Sequence, residues 1–206
     1  VKVRLPNGDI EIAFTSPSEL SISQTLITSS ATFDPDVTKG FFERTEYYPI
    51  LPQDATRIGN GMFYSYSSSL TTLTLPSGLE RIGSYAFYSC SYLALTSLPN
   101  SIQYIDQYAF YGCTRLALTS LPSSLTDIGS YAFQRCSNLA LTSLPSGLTY
   151  IGANAFYDCS QLAVTSIPST VSYIGNYAFY GCTSLKSITI PASVTTIDNN
   201  AFGDCS

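Results

Sequence analysis

The 206-residue sequence contains no histidine, no tryptophan and a single methionine, and charged residues make up only 11% of it. Histidine is the commonest general base and the commonest metal ligand, so its absence excludes Ser-His-Asp hydrolases, Cys-His proteases and His-based zinc enzymes. Nine unclustered basic residues and a net charge of −5 argue against nucleic-acid binding. No apolar run reaches the roughly 20 residues of a membrane helix, and no signal peptide is visible. The sequence therefore predicts a non-enzymatic chain without cofactors, metals or membrane insertion in this segment.

What the sequence has is a repeat. Cysteine recurs every 23 residues, and proline, phenylalanine and isoleucine columns keep the same step. The cysteines are Cys90, Cys113, Cys136, Cys159, Cys182 and Cys205. Seven copies of one unit therefore run from residue 51 to residue 206, and a fixed period of this length is typical of a solenoid.

Each unit reads as a short strand followed by a turn. Leu185, Ile188 and Ile190 predict a strand that ends before Pro191, since proline cannot donate to a ladder. We expect the position directly after the isoleucine column to adopt a left-handed backbone, which glycine and aspartate tolerate. This position holds Gly59, Gly83, Gly129, Gly152, Gly175, Asp106 and Asp198. Downstream, Ser84 is a plausible N-cap for one helical turn that buries Ala86 and Cys90.

The run Leu-Pro-x-x-(Leu/Val)-x-x-Ile-Gly-x-x-Ala-Phe-x-x-Cys-x-x-Leu resembles the BspA-type bacterial leucine-rich repeat, over roughly Leu51 to Ser206. The resemblance implies a right-handed leucine-rich-repeat solenoid, with a parallel β-sheet on one face and short strands and helical turns on the other. It also implies a bacterial extracellular or cell-surface setting and a role in adhesion or partner binding. It carries over no catalytic residues.

Four middle repeats depart from the regular leucine pattern, because they read Leu-Ala-Leu-Thr-Ser-Leu or close to it. Alternation along a strand allows only one of two adjacent columns inside, unless the strand contains a bulge. The favoured interpretation places an inward hydroxyl ladder at Thr96, Thr119, Thr142 and Thr165, and an exposed, ligand-contacting stripe at Leu95, Leu118, Leu141 and Val164. In the alternative, a bulge exchanges the two columns and leaves a surface of alanine and serine.

The first 50 residues differ in composition, since they hold 11 of the 23 charged residues. Val1–Leu5 and Ile10–Phe14 alternate around Pro6-Asn7-Gly8-Asp9 and predict a hairpin. We interpret residues 1–50 as a small β-rich N-terminal cap on the first coil, or else as a module that links the solenoid to a larger assembly. Asp34 and Asp36 suggest a calcium loop only weakly, so a solvated loop is the better interpretation.

The six cysteines occupy equivalent positions and should form a structural ladder along the solenoid. We favour free, buried thiols over disulfides between neighbouring coils, and zinc is disfavoured because there is no C-x-x-C pair. The C-terminal repeat has no polar cap, so the natural chain continues or this edge packs on another copy.

Tyrosine is the most informative surface feature. Tyr88, Tyr111, Tyr157 and Tyr180 directly follow the core phenylalanines, and they either contact a ligand or merely shield neighbouring coils. The sequence thus predicts a binding or adhesion module, with a protein or glycan ligand such as a host surface would offer. The alternative is a receptor-binding or structural component of a larger particle, such as a phage tail or a surface layer.

Overall fold

The computed structural model describes residues 2–5, 8–11, 51, 53–64, 66 and 70–205. At the N-terminus, strands β1 (Lys2–Leu5) and β2 (Gly8–Glu11) pair antiparallel, with Lys2 opposite Glu11 and Leu5 opposite Gly8. The predicted hairpin is therefore present, although its second strand begins earlier than expected. The suggested calcium loop at Asp34 and Asp36 lies outside the described residues.

Seven two-residue strands form one parallel sheet in sequence order, with each isoleucine beside the isoleucine of the next strand. The strands are β3 (Arg57–Ile58), β4 (Arg81–Ile82), β5 (Tyr104–Ile105), β6 (Asp127–Ile128), β7 (Tyr150–Ile151), β8 (Tyr173–Ile174) and β9 (Thr196–Ile197). Each strand belongs to one coil of a leucine-rich-repeat solenoid, which confirms the predicted architecture with its parallel sheet on one side.

The segment that follows each strand, which we call the turn side, consists of consecutive β-turns in place of the predicted helical turn. In the second coil, the N–H groups of Ala86, Tyr88 and Cys90 bond to carbonyls three residues earlier. Tyr85 and Ser89 have φ values of 59° and 58°, which a right-handed helix does not allow. Their N–H groups instead donate to the following coil. Neighbouring coils are thus hydrogen-bonded on both sides.

The glycine next to each strand has a different role from the one predicted. None of Gly59, Gly83, Gly129, Gly152 and Gly175 has a positive φ, and neither have Asp106 and Asp198. A Cβ atom on Gly152 would lie 2.5 Å from the backbone nitrogen of Ser130 in the preceding coil. The glycine therefore permits close approach of two backbones, and the left-handed positions lie two and six residues further along the chain.

A continuous stack of phenylalanine rings forms the centre of the solenoid. Neighbouring ring centroids lie 5.1–5.6 Å apart and the rings are within 15° of parallel. The stack contains Phe63, Phe87, Phe110, Phe133, Phe156, Phe179 and Phe202. All but Phe202 are fully buried, so each coil contributes its largest apolar side chain to a contact with the next.

The leucine-rich segment does not form the sheet. Along its described residues, the only bridge is an isolated parallel pair, Ser166 with Thr189, and typically one backbone bond joins two coils, such as Ala117 N–H to Leu95 O at 3.0 Å. The favoured interpretation of this segment is also wrong, because Leu95 is 8% exposed and Leu118, Leu141 and Val164 are fully buried. The threonines Thr96, Thr119, Thr142 and Thr165 are exposed.

The physical reason lies in where the alternation breaks. In the first regular copy, Thr71 and Thr72 both point outward between Leu70 and Leu73. In the middle copies, the two consecutive outward residues come later, as with Thr96 and Ser97. Both versions span the same number of residues, so unchanged spacing does not distinguish them. The structure thus shows the alternative, in which the Leu95 column faces the core.

Candidate functional site

Nine tyrosines on the turn side form what we call the tyrosine face, which has two rows parallel to the solenoid axis. The inner row follows the core phenylalanines and contains Tyr64, Tyr88, Tyr111, Tyr157 and Tyr180. The outer row precedes them by two residues and contains Tyr85, Tyr108, Tyr131 and Tyr177. Thus the repeat places equivalent aromatic side chains one above another on a rigid scaffold.

Within each row the rings stack face to face. In the inner row, the ring centroids of Tyr64 and Tyr88 are 4.9 Å apart, and those of Tyr88 and Tyr111 are 4.6 Å apart. In the outer row, Tyr108 lies 4.8 Å from Tyr85 and 4.4 Å from Tyr131. Interplanar angles within these pairs do not exceed 15°. The ring faces are therefore largely covered, and the ring edges and hydroxyl groups point to solvent.

The two rows also contact each other. Tyr85 and Tyr88 are 5.7 Å apart with an interplanar angle of 43°, and Tyr108 and Tyr111 are 5.8 Å apart with an angle of 55°. Tilted pairs of this kind are favourable for aromatic rings. The rows consequently form one connected surface, in which Tyr64 is 48% exposed and Tyr85 39% exposed.

Both rows are interrupted in the same region. Gln134 takes the inner-row position and Asn154 the outer-row position, so the face divides into a block of six tyrosines and a block of three. Beside the interruption, Arg135 donates from Nη1 to the hydroxyl of Tyr111 at 3.4 Å, and its Nε lies 4.0 Å from Asp158 Oδ2. Because these charged groups are exposed, they contribute little to stability.

The outer row has an unusual backbone. Tyr85, Tyr108, Tyr131 and Tyr177 have φ values of 55–62°, in the left-handed region. A bulky side chain is disfavoured there by about 1–2 kcal/mol per residue. The same column holds Gly61, Asn154 and Asn200, which suit this conformation. The outer tyrosines thus occupy positions where the backbone favours glycine or asparagine.

Four tyrosine hydroxyl groups have a pKa above the ordinary value. Burial and neighbouring phenols raise the pKa of Tyr88 and of Tyr108. The hydroxyl of Tyr180 donates to Asp204, and this bond raises its pKa to about 12. On the sheet side, a 2.5 Å bond to Asp198 raises the pKa of Tyr173 to about 12 as well. The face therefore offers neutral groups that donate and accept hydrogen bonds.

The four tyrosines predicted as ligand contacts, Tyr88, Tyr111, Tyr157 and Tyr180, all lie in the inner row, half-buried. The four aliphatic residues predicted beside them, from Leu95 to Val164, lie in the core and belong to no surface. The strain in the outer row was not predicted. It could have been inferred from the sequence, because the same column of the repeat contains both tyrosine and the residues Gly61, Asn154 and Asn200, which favour a left-handed backbone.

The cysteines form a ladder of thiols inside the turn side. Each donates from Sγ to the carbonyl of the phenylalanine in the preceding coil, as Cys113 does to Phe87 O at 3.1 Å. All six are free, and all except Cys205 are buried. Burial raises the pKa of Cys90 to about 12, and it raises the pKa of Cys113, Cys136 and Cys159 well above the ordinary value. These thiols are therefore unreactive structural groups.

No metal-binding cluster occurs in the part of the chain that the structure describes. There, no three His, Cys, Asp or Glu side chains come close enough to hold a metal ion. Within the same residues, no segment forms a helix long and apolar enough to cross a bilayer. The carboxylate of Asp106, for example, accepts a hydrogen bond from Arg81 at 3.3 Å. The guanidinium group of Arg81 also lies over the ring of Tyr104.

Three solved structures of bacterial leucine-rich repeat proteins are similar to this chain. The first, from Bacteroides ovatus, has 33% identity and a TM-score of 0.65, and the match covers 74% of this chain and 39% of that one. A leucine-rich repeat protein of T. pallidum has 34% identity and a TM-score of 0.60, with coverage of 68% and 64%. A leucine-rich cell surface protein of Faecalibacterium prausnitzii has 34% identity and a TM-score of 0.59, with coverage of 71% and 40%.

The chain thus spans between about two fifths and two thirds of the length of these relatives. No curated protein matches it. The family model described as the BspA-type leucine-rich repeat region matches residues 38–163 and 82–206, with six copies. That family is a repeat scaffold, typically non-enzymatic and protein-binding, and no catalytic family is indicated. Together with the stacked 23-residue coils, this match establishes that the chain belongs to the BspA-type leucine-rich repeat family.

Proposed function

We propose that this chain is a non-enzymatic recognition module that binds a protein or glycan ligand at a bacterial cell surface or outside the cell. The observation that carries the proposal is the tyrosine face, with nine ordered aromatic rings on a rigid solenoid. Tyrosine provides rigid contact area with a polar tip and is enriched where proteins bind partners. The cell-surface description of the F. prausnitzii relative supports the location.

The scaffold separates folding from recognition. In every coil the inward leucine, isoleucine, alanine, phenylalanine and cysteine positions are nearly invariant, whereas outward positions differ between coils. On the turn side, for instance, the column that contains Tyr88 and Tyr111 continues with Gln134. Outward side chains can therefore be exchanged without altering the core, which suits a surface that serves binding.

A deletion in register tests the proposal. Removing residues 85–176 takes out four 23-residue repeats and joins Ser84 to Tyr177, so the remaining coils still stack. We expect the fluorescently labelled full chain to bind intact epithelial or bacterial cells, and the shortened chain to lose at least about 90% of that binding, since six of the nine tyrosines and Asn154 and Gln134 are removed with the lost surface.

Circular dichroism and a cooperative urea transition serve as the folding control for the shortened chain. Equal binding by both chains, or substrate turnover by the isolated chain, would contradict a recognition role for the solenoid.

A further inference from the structure

The outer row has a feature that its own packing does not explain. Tyr85, Tyr108 and Tyr131 stack on one another, and this stacking offsets part of their backbone strain. Tyr177 is different, because Asn154 and Asn200 flank it in the row and it has the same left-handed backbone. Its ring has tilted or edge contacts with Tyr157 and Tyr180, and its hydroxyl accepts a hydrogen bond from Asn200 Nδ2 at 3.1 Å. Row stacking therefore does not account for a tyrosine at this position.

Hydrogen bonds to the next coil hold Tyr177 in this backbone, as they hold Tyr131, so it is the choice of a tyrosine side chain there that row stacking leaves unexplained. Residues held in sparsely populated backbone conformations are enriched at functional sites. From this and the geometry below, we propose that the outer row is the energetic centre of a protein-binding surface, whose partner is the uncharged patch of a folded protein. This inference rests on the proposed function and specifies its surface and its class of ligand.

The covered ring faces favour a protein over a glycan. A sugar ring packs against the open face of an aromatic ring, but in the six-tyrosine block and between Tyr157 and Tyr180 the faces lie 4.4–5.0 Å from the next ring. Tyr177, which stacks on no tyrosine of its row, is the exception. What remains exposed is ring edges and hydroxyl groups, with small polar residues such as Ser84, Ser89 and Gly112 between them. Tyrosine combined with serine, glycine and asparagine is the composition of antibody paratopes, which recognise folded proteins.

Charge and size define the partner further. The tyrosines of the six-tyrosine block are uncharged, and Arg135 contacts the block only at its edge, where it donates to the Tyr111 hydroxyl and lies beside Asp158. A charged group on the partner would lose its hydration here without gaining an opposite charge, so the centre of the partner patch is neutral. The tyrosine face runs from Tyr64 to Tyr180, and five steps of about 4.8 Å make it about 24 Å long, which fits within one side of a standard interface of about 800 Å² per partner.

The test uses the full 206-residue chain and two variants. In the outer-row variant, Tyr85, Tyr108, Tyr131 and Tyr177 are each replaced by Asn, the residue already present at Asn154 and Asn200. In the sheet-side control, Tyr104, Tyr150 and Tyr173 are replaced by Asn. Asparagine suits the left-handed backbone, so the outer-row variant should fold, with a melting temperature within a few degrees of the natural chain. The single variant Tyr177→Asn provides a second, milder test.

The probes are a naive display library of a small folded scaffold and a glycan array. We expect selected scaffold clones to bind the natural chain and the sheet-side control equally. They should bind the outer-row variant at least about 30-fold more weakly, and Tyr177→Asn measurably more weakly. A library that yields no binders, clones indifferent to the outer row, or glycan binding that depends on the outer row would each overturn the inference. If cells lose binding to the four-coil deletion but retain it for the outer-row variant, the inference fails and the proposed function stands.

Discussion

Replacing Phe133 by Ala should lower the free energy of unfolding by about 3–5 kcal/mol. Phe133 is fully buried at the middle of the phenylalanine stack, with ring centroids 5.4 Å from Phe110 and 5.6 Å from Phe156. The substitution removes both ring contacts and leaves a cavity that the coils above and below cannot fill, because their own rings are held in register. Urea denaturation followed by circular dichroism measures the loss.

The substitution Phe133→Ala should also change the shape of the urea unfolding transition. Each coil contacts only its neighbours, so weakening one central interface separates the stack into two groups of coils that unfold with different midpoints. Phe202→Ala is the matched control, because Phe202 is only partly buried and stacks on one neighbour, Phe179. We expect a clearly smaller loss and a single transition for this control. Equal losses for the two variants would contradict a core built from a continuous stack.

Raising the pH above about 9 should unfold the solenoid within about two pH units. Burial raises the pKa of the Cys90 thiol to about 12 and holds the pKa of the Cys113, Cys136, Cys159 and Cys182 thiols well above the ordinary value, whereas unfolded thiols ionise near pH 8.5–9. Below that pH, folded and unfolded chains bind the same thiol protons. Above it, the unfolded chain releases protons that the folded chain keeps, so the stability falls as the pH rises.

Each fully buried thiol contributes a slope of about 1.4 kcal/mol per pH unit, and five give about 7 kcal/mol per unit. A domain whose free energy of unfolding is about 5–15 kcal/mol therefore unfolds when the pH rises by about two units. The tyrosines with raised pKa add to the effect in the same direction. Melting temperature against pH from 7 to 11 measures it.

The control is Cys136→Ser, whose hydroxyl can still donate to Phe110 O but does not ionise. This change should reduce the slope of the free energy of unfolding against pH by about one fifth. A melting temperature that stays constant up to pH 11 would show that the thiols are not buried as described.

The repeat explains which parts of the fold were predictable. Equal spacing places equivalent residues in equivalent environments, so the stacked Phe133 column and the Cys136 column follow from periodicity alone. The predicted strand at Leu185, Ile188 and Ile190 is not among the strands of the sheet, which lie at the isoleucine column, so periodicity does not decide which segment of the repeat pairs. The position of the bulge does not follow from it, because Leu95 and Thr96 are adjacent and both registers use the same number of residues. Only packing against neighbouring coils decides between them.

The backbone of the turn side was not predictable for a related reason. Propensity places glycine at left-handed positions, yet Gly152 is required by a close contact with Ser130, and Tyr131 adopts the left-handed conformation. That conformation is imposed by hydrogen bonds to the next coil, such as Tyr131 N–H to Ala153 O at 2.8 Å. These bonds are long-range and have no signature within one repeat. The inner tyrosines were identified as a surface from the sequence, whereas the strain in the outer row was not.

The central claim is that coils of 23 residues stack in register, and a distance between two equivalent outward positions tests it most directly. Thr72 and Ser187 are both exposed and lie five repeats apart. Spin labels at Thr72→Cys and Ser187→Cys can be attached selectively, because the native thiols are buried once Cys205 is replaced by Ser. Pulsed electron paramagnetic resonance should give a single narrow distribution centred near about 24 Å, which is five steps of about 4.8 Å. A broad distribution, or a mean distance beyond about 35 Å, would contradict the stacked solenoid.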